Sequence, residues 1–169
     1  MTDKQGAEYW IGTLGLTEHP EGGYFKETYR SEESLEASKL PARYSDGRSI
    51  STSIYFLLTD EKVSNFHRLN SDEIWHFHAG GTGRIHFISP EGDYYFREIG
   101  SAVEQGQAFQ VIIPRHSWFA AEVTQGGFVL VGCTVAPGFD FGDFELAERE
   151  SLVAEHPKRA ELIRRFTRA

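Results

Sequence analysis

Between Ile50 and Ala136 the chain returns repeatedly to one pattern, a short run rich in Ile, Val, Phe, Tyr and Trp followed by a cluster of turn residues. The runs are Ile50–Leu58, Asn65–Leu69, Ile74–Ala79, Arg84–Ser89, Tyr94–Ile99, Ala108–Ile113, Ser117–Glu122 and Phe128–Ala136. Between them lie Gly80-Gly81-Thr82-Gly83, Ser89-Pro90-Glu91-Gly92-Asp93, Glu104-Gln105-Gly106 and Thr124-Gln125-Gly126-Gly127. Each cluster offers Gly where a turn needs positive φ. Short strands at such regular spacing predict an antiparallel β-sandwich or barrel. No longer-period repeat competes with that reading.

The flanks change period. Ala7 to Leu14 carries Tyr9, Trp10 and Leu14 on a loose helical face, with Gly15 as its C-cap. Ser31 to Asp46 is polar and reads as a long surface loop. Leu146, Arg149, Leu152 and Val153 return to helical spacing, and Pro157 suits the first turn of a second helix that ends on Arg164, Arg165 and Arg168. At 169 residues one domain is expected over 1–169, with a barrel over about 22–137 and helices over about 144–167. Val111-Ile112-Ile113 and Phe128-Val129-Leu130-Val131 are apolar on both faces. The terminal helices and a second subunit are expected to cover the outer face, so a homodimer is the expected assembly.

Charge and composition exclude whole classes. Lys and Arg number 17 against 25 Asp and Glu, a formal charge of −8, and no basic block interrupts the acidic balance. Nucleic acid is therefore not an expected partner, since phosphate neutralisation supplies most of that affinity. One Cys excludes an internal disulfide, and Cys133 in its apolar strand reads as an inert core thiol. The first residues lack a basic then apolar leader, and Ile54–Leu58 is the longest apolar stretch, so no membrane association and a cytoplasmic location are expected.

Five of the seven His fall between positions 67 and 116. The run Asn65-Phe66-His67-Arg68-Leu69-Asn70-Ser71-Asp72-Glu73-Ile74-Trp75-His76-Phe77-His78 is the densest in groups that can move protons or bind ligands. Strand parity divides it, because successive side chains alternate faces. Glu73, Trp75 and Phe77 share one face, while Ile74, His76 and His78 share the other, so either set can line a cavity but not both. Parity also separates Thr52 from Tyr55, and Thr52 is the preferred cavity residue. Gly22-Gly23 suits a tight turn, with Glu21 and Tyr24 beside it over the cavity.

These motifs resemble those of the cupins. Glu73 and Gly80 keep the spacing of the first cupin motif and His67 stands where its second His would be, but Asn65 replaces the first His. Gly106 to Phe119 resembles the second motif, with His116 in place of a Gly and Phe119 in place of the ligand His. The wider match is to an uncharacterised cupin family. It rests on His19-Pro20-Glu21-Gly22-Gly23-Tyr24, Ser51 to Leu58, Phe66 to Gly80 and Gly138-Phe139-Asp140-Phe141.

The resemblance implies a mainly β, double-stranded β-helix (a jelly-roll barrel) with an N-terminal helix and C-terminal helices, usually dimeric. It is similar at fold level to the sugar-nucleotide epimerases of the cupin class. By that analogy the expected function is isomerase or epimerase chemistry on a small polar metabolite, a carbohydrate or nucleotide-sugar derivative. His67 would abstract a proton beside a carbonyl, Glu73 would orient it or handle a second proton, and Tyr24 would supply a phenolic acid. Glu21, Thr52, Asn65, Trp75, His116, Trp118 and Phe119 are the candidate ligand-binding residues. No cofactor is expected; a divalent metal, if held, would fall to His67 and Glu73, since Phe119 cannot ligate. The alternatives are a non-catalytic small-molecule binding protein and a metal-dependent oxygenase or lyase.

Overall fold

Two strands of unusual length organise the molecule. In the computed structural model, which describes residues 6–168, they are the seventh and tenth of eleven strands. Helix α1 (Ala7–Leu14) leads into β1 (Thr17–Glu18), β2 (Tyr24–Arg30), β3 (Ser34–Leu35), β4 (Arg48–Ser49), β5 (Thr52–Thr59) and β6 (Ser64–Arg68). Then come β7 (Asp72–Ile88), β8 (Tyr94–Ile99), β9 (Gln110–Ile113), β10 (Trp118–Ala136) and β11 (Glu145–Leu146), followed by α2 (Arg149–Glu155) and α3 (Ala160–Arg165).

All named strands but β3 and β4 join one nine-stranded antiparallel sheet. The second half of β10 pairs with β5 and with the first half of β7, whose other edge carries β9. The first half of β10 pairs with β6 and with the second half of β7, whose other edge carries β8. The two long strands thus pass from one layer of the barrel into the other. Phe56 and Trp75 from the first layer and Ile85, Phe87 and Phe119 from the second fill one core between the layers. The expected mainly β jelly roll with terminal helices is present.

The glycine clusters at 80–83 and 124–127 are not the turns that composition suggested. Both run inside continuous strands, at the register shifts between β7 and β10. A Cβ on Gly81 would stand 1.9 Å from the Gln125 carbonyl oxygen, and one on Gly126 would stand 2.6 Å from Gly81 Cα. Glycine is needed there so that two backbones can cross as the strands bend between layers.

The loop expected over Ser31 to Asp46 is also more ordered than its composition implied. β3 pairs with β4, Tyr44 is buried, and the Arg48 guanidinium forms a buried two-point ion pair with Asp143, at 2.7 and 2.8 Å.

Outer-face burial is uneven. Helix α1 covers Leu57, Phe128 and Leu130. Helices α2 and α3 cover Phe66, Ile88 and Trp118 through Leu152, Ile163 and Phe166. Ile112 stays 64% exposed on the outside of β9. Among the described residues no helix is long and apolar enough to cross a membrane.

Candidate functional site

A cavity of about 200 Å³ opens at one end of the barrel, between β2, β5, the start of β7 and the segment 139–144. Its polar floor is positioned by the turn that follows β1. Gly22 N–H donates to the His19 carbonyl and His19 N–H to the Gly23 carbonyl. Gly22 has φ +113°, and a Cβ there would fall 2.1 Å from the Val63 carbonyl oxygen. Only glycine lets this turn lie against the entry to β6. Asn65 then fixes it, donating from its backbone N–H and from Nδ2 to the Glu21 carbonyl, at 2.8 and 2.6 Å. Glu21 is thereby aimed into the barrel, 6% exposed.

The Glu21 carboxylate accepts a hydrogen bond from Ser64 Oγ at 2.8 Å and lies 3.0 Å from His67 Nε2. On the far side of the ring His67 Nδ1 is 2.7 Å from the Asn65 carbonyl, which can only accept, so Nδ1 carries a proton. Burial pulls the His67 pKa down, but Glu21 and the Asn65 carbonyl outweigh it and hold the imidazole above its ordinary value. Burial pushes Glu21 up, but the His67 charge and hydrogen bond, His19 and Ser64 hold it below the usual carboxylate range. The pair is an imidazolium and a carboxylate, fixed in place.

Glu73 behaves differently. It is 7% exposed, accepts from Trp75 Nε1–H at 2.9 Å, and has its pKa pushed up to about 7 by burial and then by the Glu21 charge. The cavity therefore holds two carboxyl groups with opposite shifts, one locked as an anion and one able to take or give a proton near neutrality. Such divergence assigns acid–base roles.

Aromatic rings complete the walls. Phe139, Phe141 and Phe144 meet edge-on at 5.0 and 5.8 Å. The segment carrying them is tied down by the Arg48–Asp143 pair and by Phe139 N–H donating to Thr52 Oγ1 at 2.9 Å. The His19 ring stacks on Phe141, and Phe119 backs the His67 ring at 4.0 Å. At the rim, Arg30 grips Glu27 through Nε and Nη2, at 2.9 and 2.8 Å, and Nη2 also donates to the Phe139 carbonyl.

The structure brings Glu21, Thr52, His67 and Glu73 to this cavity. His76 and His78 sit on the opposite face of β7, where His76 contacts Thr134 and Gln110. Several expected residues lie elsewhere. Tyr24 pairs opposite Leu57 while Phe25 pairs opposite Phe56, so Tyr24 points away from the cavity and beneath Lys62. It cannot serve there as an acid. Asn65 is spent on the Glu21 carbonyl through its N–H and Nδ2 and borders an outer cleft beside Lys62 and Arg168 instead of the cavity. Trp75 supports Glu73 and Phe119 backs His67, both from the core and not from the cavity wall. Trp118 lies under the C-terminal helices with the Arg68 guanidinium 4.3 Å above it. His116 lines a separate shallow groove beside Asp72 and Arg115.

Residues that sequence reasoning passed over are His19, Phe25, Glu27, Arg30 and Asp140, all on the cavity wall or rim. Alternation would have found Phe25 and Glu27, given the inward face of β2. Cys133 also lines the cavity, but burial and the neighbouring carboxylates Glu73 and Glu21 push its thiol well above its ordinary value. That makes it a poor nucleophile.

The donors do not fit a metal centre of the kind found in metal cupins. Both His67 nitrogens are taken, by Glu21 and the Asn65 carbonyl, and Phe119 presents a ring where a further ligand would be needed. Among the described residues no group of three or more His, Cys, Asp or Glu is arranged to hold an ion.

Three comparisons place this architecture among known proteins. The family described as "Cupin superfamily (DUF985)" matches residues 8–147. The chain is 35% identical over 152 residues to an uncharacterized protein of Saccharomyces cerevisiae, covering 83% of this chain and 74% of that one. It is similar to a crystal structure of a Shewanella oneidensis protein, with a TM-score of 0.88 and 40% identity over 97% of this chain and 98% of that one. Oxalate decarboxylase from Bacillus subtilis shares the fold alone, with a TM-score of 0.53 and 13% identity over 88% of this chain and 36% of that chain.

Proposed function

This chain belongs to the DUF985 family of the cupin superfamily, and from that membership we propose that its barrel cavity binds a small polar metabolite and moves a proton on it. Glu73 is the group that carries the proton. The observation behind this reading is a carboxyl buried at the cavity floor, with its pKa pushed to about 7 beside a fixed carboxylate–imidazolium pair. A base whose pKa lies near the working pH combines the right protonation state with useful driving force.

These roles reverse those that the analogy with the cupin epimerases suggested for His67 and Glu73. His67 has both nitrogens engaged and its charge balanced by Glu21, so it cannot serve as the base. Glu21 orients that imidazole. Glu73 takes a proton from a carbon made acidic by an adjacent electron-withdrawing group and returns it to the same or a neighbouring atom. The Phe walls keep water from competing for it. This is isomerase-type chemistry.

A substrate-blind assay tests it. The protein is incubated in heavy water with a small-metabolite extract, and mass spectrometry follows deuterium entering carbon positions. The expected result is a metabolite that gains deuterium with the wild-type protein and not with Glu73→Gln. A metabolite retained by the protein but never labelled would overturn the catalytic reading in favour of a binding protein.

A further inference from the structure

Resting on the reading of this cavity as the binding site, we propose that its ligand is a small organic cation, with an alkylammonium group seated among the phenylalanine rings and directed toward Glu73 and Asp140. The charge inventory leads there. The cavity is bordered by four carboxyl groups, Glu21, Glu27, Glu73 and Asp140, against two cationic groups, Arg30 and His67. His67 is consumed by Glu21 and Arg30 by Glu27. Among the described residues neither Glu73 nor Asp140 has a direct ion-pair partner, although Asp140 lies within electrostatic reach of Arg30 and Arg48, whose own carboxylate partners are Glu27 and Asp143; Asp140 spends one oxygen on the Gly142 N–H, and Glu73 one on Trp75.

Hydrogen-bond capacity points the same way. Both His67 nitrogens are occupied, and Arg30 keeps only Nη1 without a partner among the described residues. His19 Nδ1 accepts from the Glu21 N–H, which leaves Nε2 as the protonated nitrogen of the neutral ring. An anion would find Arg30 Nη1, His19 Nε2 and the Thr52 hydroxyl, but it would face Glu73 and Asp140, two carboxyl groups without an ion-pair partner among the described residues. A carbohydrate, the class that analogy suggested, needs donors and acceptors on many sides, and Phe25, Phe56, Phe139, Phe141, Phe144 and Val135 offer none through their side chains. An alkylammonium uses what is present: ring faces attract its charge, its methyl groups fill apolar space, and the carboxylates balance it. Its arrival would also let Glu73 ionise, so binding below pH 7 would release a proton.

Three ligands of nearly the same shape test this: choline, its uncharged carbon isostere dimethylbutanol, and the corresponding dimethylbutanoate. Calorimetry in two buffers of different ionisation heat gives affinity and proton release together. The expected result is choline bound about ten-fold more tightly than the alcohol, with a proton released at pH 6, and binding weakened in Asp140→Asn and Phe139→Leu. Equal binding of choline and the alcohol, tighter binding of the carboxylate, or no binding of any ligand at millimolar concentration would each overturn the proposal. Carboxylate binding that Phe139→Leu weakens would remove the cation while leaving the cavity as the binding site. Choline binding untouched by both substitutions would place the ligand outside the cavity and overturn the proposal together with the functional reading.

Discussion

Replacing Glu73 with Gln removes a buried group that titrates while keeping an oxygen for Trp75 Nε1–H. In the folded protein the carboxyl pKa rises from 4.5 to about 7, because burial and Glu21 both disfavour its anion. Below its ordinary pKa, Glu73 is protonated in folded and unfolded chains alike and has no effect on stability. Between 4.5 and 7 only the unfolded chain loses the proton, so stability falls as pH rises. Above pH 7 the burden is complete, at about 3 kcal/mol for a shift of about 2.5 units. Urea denaturation of both proteins at pH 5, 6, 7 and 8 measures it. The stability of Glu73→Gln relative to wild type should improve by about 2–3 kcal/mol from pH 5 to pH 8. A difference that does not vary with pH would show that Glu73 is not held protonated, and its role as proton carrier would fall with it.

Glu21→Ala leaves the buried His67 cation uncompensated and should cost about 3–5 kcal/mol at pH 6. Glu21→Leu with His67→Leu should cost much less, so additive losses in denaturation would refute the pair. Because His67 is raised and Glu21 lowered, the pair's contribution should fade both as pH rises through the His67 pKa and as it falls through the Glu21 pKa. Gly22→Ala should destabilise by at least about 1–3 kcal/mol, whereas Gly12→Ala, an exposed helix position with nothing within 4 Å of the added methyl, should stabilise by about 1 kcal/mol; melting temperatures distinguish them. If a second copy of the chain covers the outer face of β9, sedimentation should give a dimer for the wild type and a monomer for Ile112→Asp. A wild-type monomer would remove that assembly.

What the sequence made legible follows from which contacts are local. Alternation along β7 correctly put Glu73 and Trp75 on one face and His76 and His78 on the other, because a strand's pleat is a local property. Gly80–Gly83 and Thr124–Gly127 were misread as turns, because glycine serves both a reversal and a close crossing. Only the partner backbone distinguishes the two, and it lies more than 40 residues away in sequence. The Glu21–His67 pairing was hidden for the same reason. The turn after β1 meets β6 through contacts of Glu21 with Ser64, Asn65 and His67, residues more than 40 positions further along the chain. A phenol makes Tyr24 the chemically attractive member of its pair, but register gives its neighbour Phe25 the cavity-facing position. The departures at Asn65 and Phe119 were visible from the start, and their physical meaning emerged with the geometry. One holds a turn and the other backs an imidazole.

The course of β10 has a consequence for the order in which the protein can assemble. β10 alone joins β5 to β7, aligning Thr52 with Val135 and Glu73 with the same residue. Val135 lies far along the chain from both Thr52 and Glu73, and pairings so distant in sequence slow folding. During synthesis β2, β5, β6 and β7 leave the ribosome before the strand that unites them. The floor holding Glu21 and His67 is complete in sequence long before Cys133, Val135 and the 139–144 segment arrive to wall it in. The chamber is therefore walled by residues that follow Glu73 in the chain, and the burial that raises its pKa depends on them.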